Sequence, residues 1–137
     1  MVDAEVVQRR LEKLDEYLRI LRRLARYTQD EFISDPERYG SAERFLELSI
    51  KLIADLGNHV VASESLGRVQ ATADIPRILQ DNKIVGPELA ETWTQMIGFR
   101  NVLAHEYMEI DRSQVYRILT SRLTDLEALR RVFVGLL

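Results

Sequence analysis

Apolar residues recur along this chain at steps of three and four, the spacing of one face of an α-helix. From about Asp3 to Tyr27, Leu11, Leu14, Leu18, Leu21 and Leu24 or Ala25 make one stripe. Charged residues crowd the other side, among them Arg9, Arg10, Glu12, Lys13, Arg22 and Arg23. Asp3 is placed to cap this helix. The stripe lasts too few heptads to stand alone as a coiled coil. Thr28 to Gly40 breaks the period, with turn signals at Asp35-Pro36 and Gly40, and Phe32, Ile33 and Tyr39 available to pin it to a core. Ser41 then caps a second helix. Its apolar positions, from Phe45 and Leu46 through Leu52, Ile53 and Leu56 to Val60 and Val61, cover an arc wide enough for burial on more than one side. Gly67 ends it. Pro76 in a first turn opened by Asp74 marks a short helix over Ile75 to Gln80, and Gly86-Pro87 precedes a fourth main segment carrying Leu89, Trp93, Met96, Ile97 and Leu103. Asp111 caps the last helix, striped by Val115, Ile118, Leu119, Leu123, Leu126, Leu129, Val132 and Phe133. No strand pattern competes. The expectation is an all-α fold: an antiparallel helical bundle of four main helices plus a short one.

Composition adds bounds. A length of 137 residues suits one domain, expected to span 1–137, with a core that needs no staples. The chain has no cysteine, which excludes disulfides, thiolate metal sites and a cysteine nucleophile. Two histidines, His59 and His105, cannot by themselves build a histidine-rich zinc site. No cofactor or metal is expected. No apolar run approaches the ~20 residues that cross a bilayer, and the acidic stretch after Met1 lacks a secretory apolar region, so the expected location is the cytoplasm. The net charge of −3 denies the chain a general basic field for nucleic acid, although a local positive cleft remains compatible with it. The basic residues are 16 Arg against 3 Lys, and Arg is the better side chain for bidentate phosphate contacts.

The chemically dense stretch is Arg100-Asn101-Val102-Leu103-Ala104-His105-Glu106-Tyr107, at the end of the fourth main helix. Neutral imidazole can take a proton from a ribose 2′-hydroxyl, and imidazolium can give one to a leaving 5′-oxygen. Arg100 can hold a phosphodiester, and Asn101 can donate to a phosphate oxygen. On an ideal helix, however, Arg100 and His105 point about 140° apart. A distorted helix end, a long Arg side chain or a second subunit would have to bring them together. A lone histidine at a helix end also serves simply to cap carbonyls.

That stretch resembles the Arg-x4-His-x-Tyr signature of the HepT-type toxins of the HEPN superfamily. The resemblance covers in effect the whole chain: Glu43 to Leu46 and Ile53 to Val60 resemble that family's second helix, Ile75 to Leu79 and Leu89 to Ile97 its middle section, and Leu103 to Asp111 its exit turn. It implies a helical-bundle homodimer with its cleft between subunits, and metal-independent RNA cleavage leaving a 2′,3′-cyclic phosphate. Arg100 and His105 fall on the catalytic positions, with Asn101 in support. Tyr107 falls on the tyrosine that a partner minimal nucleotidyltransferase, the antitoxin, modifies with AMP. A structured RNA such as a tRNA is a compatible substrate. The alternative is a non-catalytic helical module that docks a nucleotidyltransferase.

Other polar residues carry two readings each. Asp55 and His59, four apart, either pair with each other or, with Asn58, face the cleft and orient Arg100 or His105. Arg22, Arg23 and Arg26 either track an RNA backbone or form a solvated or partner-binding face. Trp93, Met96, Ile97 and Phe99 read as core or dimer interface and not as a base-stacking platform.

Overall fold

The computed structural model describes residues 1–105 and 110–137. Among the described residues there are seven helices and no strand. The helix α1 (Ala4–Leu24) begins where the Asp3 carboxylate accepts the amides of Glu5 and Val6, at 3.0 and 3.3 Å. It buries Val7, Leu11, Leu14, Leu18 and Leu21, the stripe read from the sequence. Arg130 of the C-terminal segment grips Asp15 at 2.5 and 3.1 Å, fixing α1 against the chain's last helix.

Two features of the next segment differ from the sequence reading. A short helix α2 (Gln29–Ile33) forms inside the stretch expected to be irregular, because Thr28 and Glu31 make a reciprocal capping box. Asp35-Pro36 opens the long helix α3 (Pro36–Ser63), where a turn was expected. The Asp35 carboxylate accepts the Glu37 amide at 2.9 Å, and proline at the first helical position has no N–H to leave unpaired. Gly40 and Ser41 therefore lie within α3, and Ser41 caps nothing. A Cβ at Gly40 would meet no atom within 4 Å, so the glycine marks no close approach.

The helix α3 is the central element, in contact with α1, α2, the short α4 (Asp74–Asp81), α5 (Pro87–His105), α6 (Arg112–Ser121) and α7 (Leu123–Val134). Asp111 caps α6 as expected. The last helical stripe is broken at Arg122, which ends α6 and starts α7. Neither glycine nor proline stands there; Arg122 instead reaches Asp125 at 3.0 Å and the Gln95 amide oxygen at 3.4 Å. The all-helical bundle holds, with its C-terminal helix in two pieces.

Packing is close where α3 crosses α5. Trp93 is fully buried and stands edge-on to Phe133, ring centres 6.0 Å apart. Gly57 makes room for it. A Cβ there would lie 2.5 Å from Cγ2 of Ile75 and 2.7 Å from Cη2 of Trp93, so only glycine fits. We expect Gly57→Ala to destabilise the fold by about 1–3 kcal/mol, the usual cost of overpacking, read as a lower denaturant midpoint.

Candidate functional site at the end of α5

Gly57 faces Trp93 at one end of the α3–α5 pair, while Leu103 shares a recess with Glu43 and Glu47 at the other. The two helices therefore run antiparallel, and the middle of α3 lies beside the last turns of α5. Between them is a small recess of about 110 Å³ lined by Lys51 and Asp55 of α3, Arg100 and Asn101 of α5, and Thr72 of the loop before α4. A guanidinium, an ammonium, an amide, a hydroxyl and a carboxylate thus converge from three parts of the chain.

Arg100 is half-buried, and its Nε is buried with no hydrogen-bond partner among the described residues. An unpaired buried donor costs about 1–3 kcal/mol. Asn101 is exposed at the rim. Asp55 is exposed and lies 3.8 Å from Lys51 Nζ, one turn earlier on α3.

Asp55 does not pair with His59. The His59 ring takes the Asp3 amide at 3.2 Å and stands 3.4 Å from Ser63 Oγ, so it holds the start of α1 against the end of α3. Of the two readings of this strip, the recess claims Asp55 and the α1 contact claims His59. Asn58 lines a neighbouring depression with Asp55 and Thr72.

His105, the last described residue of α5, is exposed. It does not line the recess that holds Arg100. Tyr107 lies outside the described residues. On the far side of α5's end, Arg112 lays its guanidinium over the Tyr39 ring, 4.0 Å from the centroid. Burial pushes the neighbouring Glu43 carboxyl above its ordinary range, against the opposing pull of Arg112. Arg22 is bonded to Glu127 of α7 at 2.8 Å, and Arg23 and Arg26 are exposed near the end of α1. Trp93, Met96 and Ile97 are buried in the core, and Phe99 packs half-buried at its edge.

Sequence reasoning did not single out Lys51 or Thr72. Lys51 stands four residues before Asp55, a spacing that marks a helical ion pair. Thr72 carried no signal, since only the fold of its loop places it. That loop is tied by Asp74, whose carboxylate accepts the amides of Gln70 and Ala71, both at 3.0 Å. The Ala71 amide first, and the Gln70 amide with it, hold the Asp74 carboxyl below its ordinary value. The ionised form is thus favoured by folding, so its contribution is full above the ordinary aspartate range and is lost as pH falls through the lowered value. We expect hydrogen-exchange protection of the Gln70 and Ala71 amides to persist at pH 3.8 and to fade only below it.

A family model described as "Ribonuclease HepT-like" matches residues 14–133, and the chain belongs to that family. It is 29% identical over 115 residues to the tRNA nuclease HepT of Aphanizomenon flos-aquae, covering 84% of this chain and 78% of that protein. It is 29% identical over 73 residues to the mRNA nuclease HepT of Shewanella oneidensis, covering 53% of this chain and 55% of that protein. Its fold matches a solved structure of a tri-AMPylated Shewanella oneidensis HEPN toxin in complex with MNT antitoxin, with a TM-score of 0.89 at 20% identity, over 97% of this chain and 99% of that one. Among the described residues, no helix is long and apolar enough to cross a membrane.

Proposed function

We propose that this protein is a metal-independent endoribonuclease, the cytoplasmic toxin of a toxin–antitoxin pair. The observation that carries this reading is that a member of the HepT-like family presents, on one helix, a half-buried Arg100 whose Nε has no partner among the described residues, and an exposed His105. In the proposed reaction, imidazole at His105 takes the proton of a ribose 2′-hydroxyl. The freed oxygen attacks the adjacent phosphorus, and the bond to the 5′-oxygen breaks. That oxygen leaves with a proton from an imidazolium, and the other product carries a 2′,3′-cyclic phosphate. Arg100 holds the non-bridging oxygens as charge develops on them, with Asn101 as an added donor. Asp55 offsets the local positive charge and keeps Lys51 near the recess.

The site is composite. Within one chain Arg100 lines the recess and His105 does not. Five helical steps separate the two by about 140°. A two-fold homodimer that pairs the ends of two α5 helices places each Arg100 near the partner copy's histidine. The names of the relatives point to RNA as substrate, a tRNA among the candidates.

Silencing is assigned to a minimal nucleotidyltransferase antitoxin that transfers AMP to Tyr107. Each AMP adds bulk and negative charge beside the place where an RNA phosphate must sit, and so repels and excludes substrate. We expect Tyr107→Phe to retain cleavage but to escape neutralisation when the antitoxin and ATP are added. Full neutralisation of that variant would assign silencing to another route.

The activity itself is tested by incubating unmodified protein with total cellular RNA in excess EDTA. Discrete fragments ending in cyclic phosphate are expected. No fragments from a protein shown by mass to carry no adduct would overturn the reading.

A further inference from the structure

The break at Arg122 opens a second and larger cavity that the reaction above does not use. It measures about 460 Å³ and lies between α3, α5, α6 and α7. That is within the size range of small-molecule sites, roughly 300–1,000 Å³. Its polar rim is formed by Gln95, Gln114, Arg117 and Arg122, and Ile50 and Phe99 belong to its apolar wall. Among the described residues no carboxylate lines it, in a chain whose net charge is −3. Arg122 is offset by Asp125 at 3.0 Å, whereas Arg117 makes no ion pair among the described residues. The groove therefore offers an apolar slot, amide donors and acceptors, and one cation not offset by a carboxylate among the described residues.

The groove adjoins the candidate site. Ile50 lines both this cavity and the recess of Arg100. Phe99 and Arg100 are consecutive, so their Cα atoms are about 3.8 Å apart. Phe99 lines the groove and Arg100 the recess, one residue apart on α5.

We propose that this groove is a nucleobase subsite, which receives a base flanking the cleaved phosphate and gives the enzyme its sequence preference. The inference rests on the ribonuclease reading and deepens it. A flat base enters the slot against Phe99, and Arg117 takes the adjoining phosphate. The Gln114 amide, with one donor side and one acceptor side, reads the edge of the base. Gln95 adds N–H donors, its oxygen being turned to Arg122. Phe99 thus has a role beyond the packing at the edge of the core.

The test is to cleave a random-sequence single-stranded RNA and sequence the fragment ends, for the natural protein, Gln114→Ala and Arg117→Ala, with particle mass measured for each. The natural protein is expected to favour one base beside the cut by roughly tenfold, the discrimination typical of one good bidentate contact. Gln114→Ala is expected to reduce that preference to less than about twofold at unchanged particle mass. A preference that survives both substitutions overturns the proposal, as does its absence from the natural protein. A change of particle mass in the variants also overturns it, because the groove would then be covered by a second copy. If the natural protein cuts nothing, the ribonuclease reading falls. The groove is then judged alone by titrating the protein with AMP, CMP, GMP and UMP while following the side-chain amides of Gln95 and Gln114 by NMR. Saturable shifts in those amides support a nucleotide site, and their absence overturns it.

Discussion

His105→Ala is expected to lower RNA cleavage by roughly 10²- to 10⁴-fold, the contribution of a positioned acid or base. His105 is exposed on α5, and its side chain is no part of the buried core. The thermal midpoint and the particle mass should therefore remain those of the natural protein. Initial rates on a labelled RNA in EDTA, with thermal unfolding alongside, make the comparison. A variant that cuts within about threefold of the natural protein would remove His105 from the chemistry.

The second large effect is expected at Arg100. Arg100→Ala should cost about 10²- to 10³-fold in kcat, as loss of a preorganised donor to a developing oxyanion commonly does. Arg100→Lys should recover little, because an ammonium cannot reproduce the planar fork that meets two phosphate oxygens. Stability separates the proposed role from a structural one. The Arg100 Nε is buried without a partner among the described residues, so truncation removes an unsatisfied donor and leaves none behind. Stability should stay level or rise slightly while activity collapses. A structural arginine would give the opposite split, with lost stability accompanying lost rate.

The legible part of the fold was its periodic part. The stripe of α1 and the apolar face of α3 needed only spacing, because a helix in a bundle must bury one face. What escaped were features without a period or with a familiar signal in an unfamiliar place. The helix α2 has five residues, too few to show a stripe, and only the Thr28 and Glu31 pair marked it. Asp35-Pro36 reads equally as a turn and as a helix start, and the following Gly40 tipped the balance wrongly. The break at Arg122 has no glycine or proline to announce it. There α6 packs on α2 and α7 on α5, while both keep α1 and α3, tertiary contacts that a single sequence does not express.

The candidate site divides along the same line. Arg100, Asn101 and His105 share one helix, so their spacing was readable, including the angle that keeps Arg100 and His105 apart. Asp55 was readable as half of a polar strip, but its company was not. The structure gives Asp55 to the recess with Arg100 and gives His59 to the amide of Asp3. Lys51 and Thr72 reach the recess only through the antiparallel seating of α3 on α5 and through the turn tied by Asp74. Contacts of that kind depend on tertiary placement and leave no local pattern.

The most direct measurement is to mix two inactive proteins. Arg100→Ala and His105→Ala are purified separately, shown to be silent, and allowed to exchange subunits before RNA is added. If each site joins Arg100 of one copy to the histidine of the other, every mixed dimer regains one intact pair. With random exchange, half the dimers are mixed and each holds one of two sites, so activity should return to roughly a quarter of the natural level. A mixture that exchanges subunits and still cuts no RNA would contradict a composite site and, with it, the cleavage proposed for this helix end.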